Sequence, residues 1–135
     1  MQTFLPYPDF SASAAVLDQR RLGKQRVECL QILRAIWCPA YGWQHHPAVN
    51  MWRQHPRALA TYGLSVCAEW ARRGYRDNGT AAELAAFATT PQPPPPWITP
   101  ALCASHRSNL LRKDYTYYSK FGWTEPNNLP YIWPI

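Results

Sequence analysis

The sequence predicts a compact all-α domain on three observations. Apolar residues recur at helical spacing in long runs, as in Leu22, Cys29, Leu33 and Ile36 and again in Leu59, Tyr62, Val66 and Trp70. No stretch alternates apolar and polar residues as a half-buried strand would, and no segment repeats. Proline, glycine and Ser/Thr fall where these runs begin and end, which is how helices are punctuated. With 135 residues, 47% hydrophobic and 14% aromatic, the chain suits one domain over residues 1–135, with three to four main helices around a real core.

The opening residues 2–10 include Pro6 and Pro8, which remove backbone donors and push their predecessors out of the α region, so this segment is extended. A long helix follows, capped by Ser11 or Ser13 and running to about Trp37, with Gly23 as a point of bending. Its buried stripe is Leu22, Cys29, Leu33 and Ile36, while Arg21, Lys24, Glu28 and Gln31 line another face. Pro39 ends it, and residues 41–47 read as an aromatic, histidine-bearing loop. A helical turn around residues 49–54 precedes a second long helix from about Pro56 to Arg73, with Gly74 as its left-handed stop. Thr80 and Glu83 have capping-box spacing for a short Ala-rich helix to about Ala88. The run Pro91-Gln92-Pro93-Pro94-Pro95-Pro96 enforces polyproline geometry, a stiff strap across the surface. Thr99 and Pro100 open a last helix to about Lys113, with Leu102, Leu110 and Leu111 inward and His106, Asn109 and Lys113 on a polar face. The remaining tail, rich in Tyr and Trp, is expected to pack back on the helices.

Charge narrows the function. Fourteen Lys+Arg against eight Asp+Glu, a formal charge of +6, favour a polyanion as the large partner. No run of about 18 apolar residues exists to span a membrane. Cys29, Cys38, Cys67 and Cys103 lack paired CxxC spacing and no secretory segment precedes them, so reduced thiols and a cytoplasmic, nucleoid-associated monomer are expected. The histidines show no HxxxH spacing, so neither a metal site nor another cofactor is expected. Within the stretch from Leu17 to Glu28, Glu28 follows four basic residues, Arg20, Arg21, Lys24 and Arg26, with Asp18 at the start, which reads as an acid set in an anion-binding face. The alternative is a solvated helix face with an ordinary Lys24–Glu28 pair.

Three stretches together resemble the pyrimidine dimer DNA glycosylase family, whose type is phage endonuclease V. They are Leu17-Asp18-Gln19 through Leu22 to Glu28; His46 through Ala68-Glu69-Trp70-Ala71-Arg72-Arg73-Gly74-Tyr75; and Thr116-Tyr117-Tyr118-Ser119-Lys120-Phe121-Gly122. The resemblance covers most of the chain. It implies an all-α enzyme that removes a damaged pyrimidine from duplex DNA by attack of its N-terminal α-amine on the sugar C1′, then nicks the strand through the resulting imine. Glu28, six residues after Leu22, falls on the family's catalytic glutamate. The chemistry is physically sound: an α-amine is ~10–15% neutral at pH 7, and an ordinary lysine less than ~0.1%.

The chain departs from the family twice. Gln2 is too large for removal of the preceding methionine, so the amine is that of Met1; Lys24 or a water molecule are the other nucleophiles. Val27 stands where the family has an arginine before its glutamate, leaving Arg21, Lys24 or Arg26 to supply that charge. Around this centre, His45, His46 and His106 are candidates for binding phosphate, and His46 and His106 also for orienting Glu28; Trp43 and Trp52 are candidates for wedging or stacking on a base. Arg107, Asn109, Arg112, Lys113, Tyr118 and Lys120 are candidates for the DNA backbone. A DNA glycosylase with or without AP-lyase activity is the leading reading. A non-catalytic nucleic-acid-binding module and an enzyme on another nucleoside-type substrate are its rivals.

Overall fold

The structure is a computed structural model and describes residues 1–134. Among these residues all regular structure is helical: α1 (Phe10–Val16), α2 (Gln19–Trp37), α3 (Pro47–Trp52), α4 (Pro56–Arg72), α5 (Thr80–Phe87), α6 (Pro100–Lys113) and α7 (Tyr115–Tyr118), with a 3-10 turn over Ser119–Phe121. The all-α expectation holds, with more helices than the three to four main ones anticipated. The core forms where α4 packs against α1, α2 and α5. Leu22, Cys29, Leu33, Leu59, Tyr62 and Val66 are buried there, while Ile36 and Trp70 pack at its margin.

The long first helix is in fact two. Leu17 is extended, and Asp18 restarts the helix as N-cap by accepting from the Arg21 N–H. Tyr118, a hundred residues on, donates its hydroxyl to Asp18 Oδ1 and accepts from the Asp18 N–H at 3.0 Å, so a tertiary contact makes the break. Asp9 caps α1 in place of Ser11 or Ser13, because the Ser13 hydroxyl is engaged with the Tyr7 backbone. Gly23 is not a hinge. A Cβ there would lie 2.9 Å from the Trp70 ring, so glycine lets α2 and α4 approach. Gly74 does supply the left-handed stop, at φ 92°. The capping box at Thr80 is absent: Gly79 is the N-cap, Asp77 accepts from the Ala81 N–H, and Glu83 instead pairs with Arg34.

The N-terminal segment runs through the core as an extended strap pinned by side chains. Gln25 accepts from the Phe4 N–H and donates to the Gln2 carbonyl, both at 2.8 Å. Tyr62 donates to the Phe4 carbonyl, Tyr131 to the Thr3 carbonyl, and the Trp52 indole to the Thr3 hydroxyl. An extended strand alone in a helical core would leave its backbone groups unpaired, and these side chains satisfy them. The aromatic tail packs back as expected: Tyr131 stacks on His106 and Trp123 on Tyr118. The polyproline strap is fastened at Gln92, which bonds the Ala58 N–H and the Gln54 carbonyl.

Candidate active site

A cleft of ≈ 460 Å³ opens where α2, the N-terminal strap and the end of α6 meet, a size that suits a small ligand group. Helical spacing lines up its α2 wall. Arg20, Lys24 and Glu28 form one i,i+4 row, with Arg21 and Gln25 beside it, and Gln2, Phe4, Asp18, Lys113 and Asp114 complete the lining. Glu28 is largely buried, its side chain 14% exposed, and accepts from the Gln2 N–H at 2.8 Å. Three bonds separate that amide nitrogen from the α-amine of residue 1, so the two lie within ~4 Å. Lys24 reaches Glu28 only loosely, at 3.9 Å from a side chain three-quarters exposed.

The cleft carries more positive charge than the Glu28 side chain offsets. Arg20, Arg21, Lys24 and Lys113 face Asp18, Glu28 and Asp114, but Asp18 is tied to Tyr118 and Arg21 while Asp114 caps α7. Burial raises the Asp18 carboxyl, yet the hydrogen bonds from Tyr118 and Arg21 outweigh it and hold it below its ordinary value. The Lys113 ammonium is pulled down, first by burial and then by the repulsion of Arg21, Arg112 and Lys24, as expected where cations crowd. Such a field attracts anions.

His46 is close enough to residue 1 to feel its charge. Its Nδ1 accepts from the Ala48 N–H to cap α3, which leaves the proton on Nε2. Burial lowers its pKa, the positive N-terminus lowers it further, and Glu28 opposes them, so the imidazole is neutral at pH 7. The ring is gripped edge-on by Trp43 and Trp133, at 5.8 and 6.0 Å between centroids.

The expected site residues thus divide. Glu28, Arg21, Lys24 and Lys113 line the cleft with Met1 next to Gln2 at its edge, and His46 packs against Trp43 and against Trp133, which the sequence did not single out. His45 is exposed on the same loop. Lys120 is exposed in the 3-10 turn after α7, its ammonium over the Tyr117 ring. Arg112 is exposed and bonded to Asn109 and to the Asn127 carbonyl. Others are structural. Trp52 is fully buried and faces the core, so it is no wedge. Arg26 is buried against Trp70 and paired with Asp77 at 2.6 Å, so it does not supply the charge displaced from position 27. His106 is fully buried, accepts from the Leu5 N–H, and is pushed by burial to a pKa of about 3, which excludes a cationic phosphate contact. Arg107 forks onto Glu125 and donates to the Pro6 carbonyl; Asn109 is buried, donating to the Ser105 carbonyl; Tyr118 is buried on Asp18. Arg20, Gln25 and Gln2 were not anticipated. The signal for Arg20 was its i,i+8 relation to Glu28, and for Gln25 its place three residues before it, on the same side of the helix.

Among the described residues, no three His, Cys, Asp or Glu side chains are grouped to hold a metal ion, and no helix is long and apolar enough to cross a membrane. Fold and cleft together define a helical protein with a cleft in which Arg20, Arg21, Lys24 and Lys113 surround Glu28. The chain belongs to the pyrimidine dimer DNA glycosylase family, whose model matches residues 1–83. It is therefore a member of a DNA-acting glycosylase family. No curated protein and no solved structure matches the chain significantly. The matched part contains the strap, α2, His46 and α4, while Lys113, Tyr131 and Trp133 come from the remainder.

Proposed function

We propose that this protein is a glycosylase that releases a damaged pyrimidine from duplex DNA, with the α-amine of residue 1 as nucleophile and Glu28 as its carboxylate, and that it cleaves the abasic strand by the same amine. The observation that carries this reading is the hydrogen bond from the Gln2 amide to Glu28, which keeps residue 1 beside a carboxylate in a cationic cleft. The amine lone pair attacks C1′ while the glycosidic C–N bond breaks and the pyrimidine leaves with the bonding pair and takes up a proton. Glu28 stabilises the positive charge that develops on the sugar. Opening of the sugar ring yields an imine. Glu28 then removes a C2′ proton, and the electrons expel the 3′ phosphate. Arg20, Arg21, Lys24 and Lys113 hold the flanking phosphates. Gln25, with its two bonds to the strap, keeps the amine in register.

Borohydride reduction in the presence of abasic or dimer-bearing oligonucleotides tests the proposal. The expected result is a covalent adduct mapped to residue 1, with strand cleavage stopped by acetylation or extension of the N-terminus. Base release without an adduct would instead make Glu28 the activator of a water molecule. Binding without release or nicking would leave a DNA-binding module.

A further inference from the structure

We propose that Trp43 is a preset stacking site for a nucleobase displaced from the duplex beside the Glu28 cleft. The inference rests on the reading of that cleft as a DNA site and adds how the duplex is opened there. Trp43 is the one non-glycine residue among those described with a left-handed backbone, at φ 70°, a conformation in which a Cβ is crowded and glycine is favoured. Its side chain is nonetheless 59% exposed, so core packing does not explain the tryptophan. Trp37 is exposed to a similar extent, but it stacks on Phe87.

The loop that presents Trp43 is stitched to the helices. The Gln44 amide donates to the carbonyls of Ala35, Cys38 and Tyr41, and Arg53 donates to the Gln44 carbonyl at 2.6 Å. The His46 N–H returns to the Trp43 carbonyl at 3.1 Å. A strained backbone held by this many bonds around an exposed ring is organised before any ligand arrives. The ring meets His46 edge-on, His46 meets Trp133, and Trp133 packs on Tyr131, whose hydroxyl donates to the Thr3 carbonyl of the strap, so a base lying on Trp43 is on the side of the protein where the strap brings residue 1 to Glu28. Every base has a π face, so an indole accepts whichever one is displaced, with the cations of the Glu28 cleft for the backbone.

The test uses a duplex carrying a tetrahydrofuran abasic analogue, which cannot be cleaved, beside the same duplex undamaged. Wild-type protein is expected to lose indole fluorescence on binding the analogue, and Trp43→Phe to lack that component while keeping most of the affinity. Trp43→Gly relieves the backbone, so it is expected to melt no lower than wild type yet to bind the analogue about tenfold more weakly. Affinity of all variants for undamaged duplex is expected to stay within twofold. Equal binding of the analogue by Trp43→Gly and wild type would overturn the proposal, as would an equal loss on both duplexes. A Trp43-dependent signal without base release from any lesion would keep the stacking site and refute the glycosylase reading.

Discussion

The Glu28 cleft and the body of α6 are both rich in basic residues, and the structure uses them in opposite ways. At the cleft, Arg20, Lys24 and Lys113 are exposed and crowded around Glu28, whose single charge does not offset theirs. Along α6, Arg107 is locked bidentately onto Glu125 and onto the strap at Pro6, while His106 and Asn109 are buried. Equivalent charges in the sequence are therefore left exposed in one place and locked into the fold in the other. The deciding factor is whether a carboxylate or carbonyl of the same chain lies within reach.

Several substitutions can break this contrast. Glu28→Gln is expected to lower base release by about a thousandfold or more while duplex affinity changes little, since it removes a charge without changing volume. Comparable turnover by the variant in a single-turnover assay would remove Glu28 from the chemistry. On α6 the largest effect is one of pH. His106 has an unfolded value of 6.5 and a folded value of about 3, so the unfolded state gains a proton that the folded state refuses. Stability is then fully present above pH 6.5 and falls by about 1.4 kcal/mol per unit as pH drops toward 3. Urea titrations at pH 7, 6 and 5 check the slope, which His106→Gln should flatten.

Smaller effects sharpen the comparison. Arg107→Ala is expected to cost about 2 kcal/mol of stability, as the loss of one partner from a largely buried pair, and to leave the salt dependence of DNA binding unaltered. Lys24→Ala and Lys113→Ala should do the reverse, with unchanged melting but a log K versus log salt slope reduced by about one each. A reduced slope for Arg107→Ala, or none for the two lysines, would erase the division drawn between these regions.

Much of the scaffold was legible in the chain. The stripes at Leu22, Cys29 and Leu33 and at Leu59, Tyr62 and Val66, the Thr99 cap and the Gly74 stop all follow from local rules, because helical periodicity and capping involve residues within about four positions of each other. The acid among bases from Leu17 to Glu28 was legible for the same reason. Tertiary structure alone decided the rest. The break at Leu17–Asp18 depends on Tyr118, a hundred residues away. The meeting of residue 1 with Glu28 depends on Gln25, Trp52, Tyr62 and Tyr131 gripping the strap. Which arginine is free and which is paired depends on partners such as Asp77 and Glu125, brought close only when the helices pack. Side-chain type and spacing set what each helix buries, whereas hydrogen bonds and charges act through distances in space, which the order of residues does not contain.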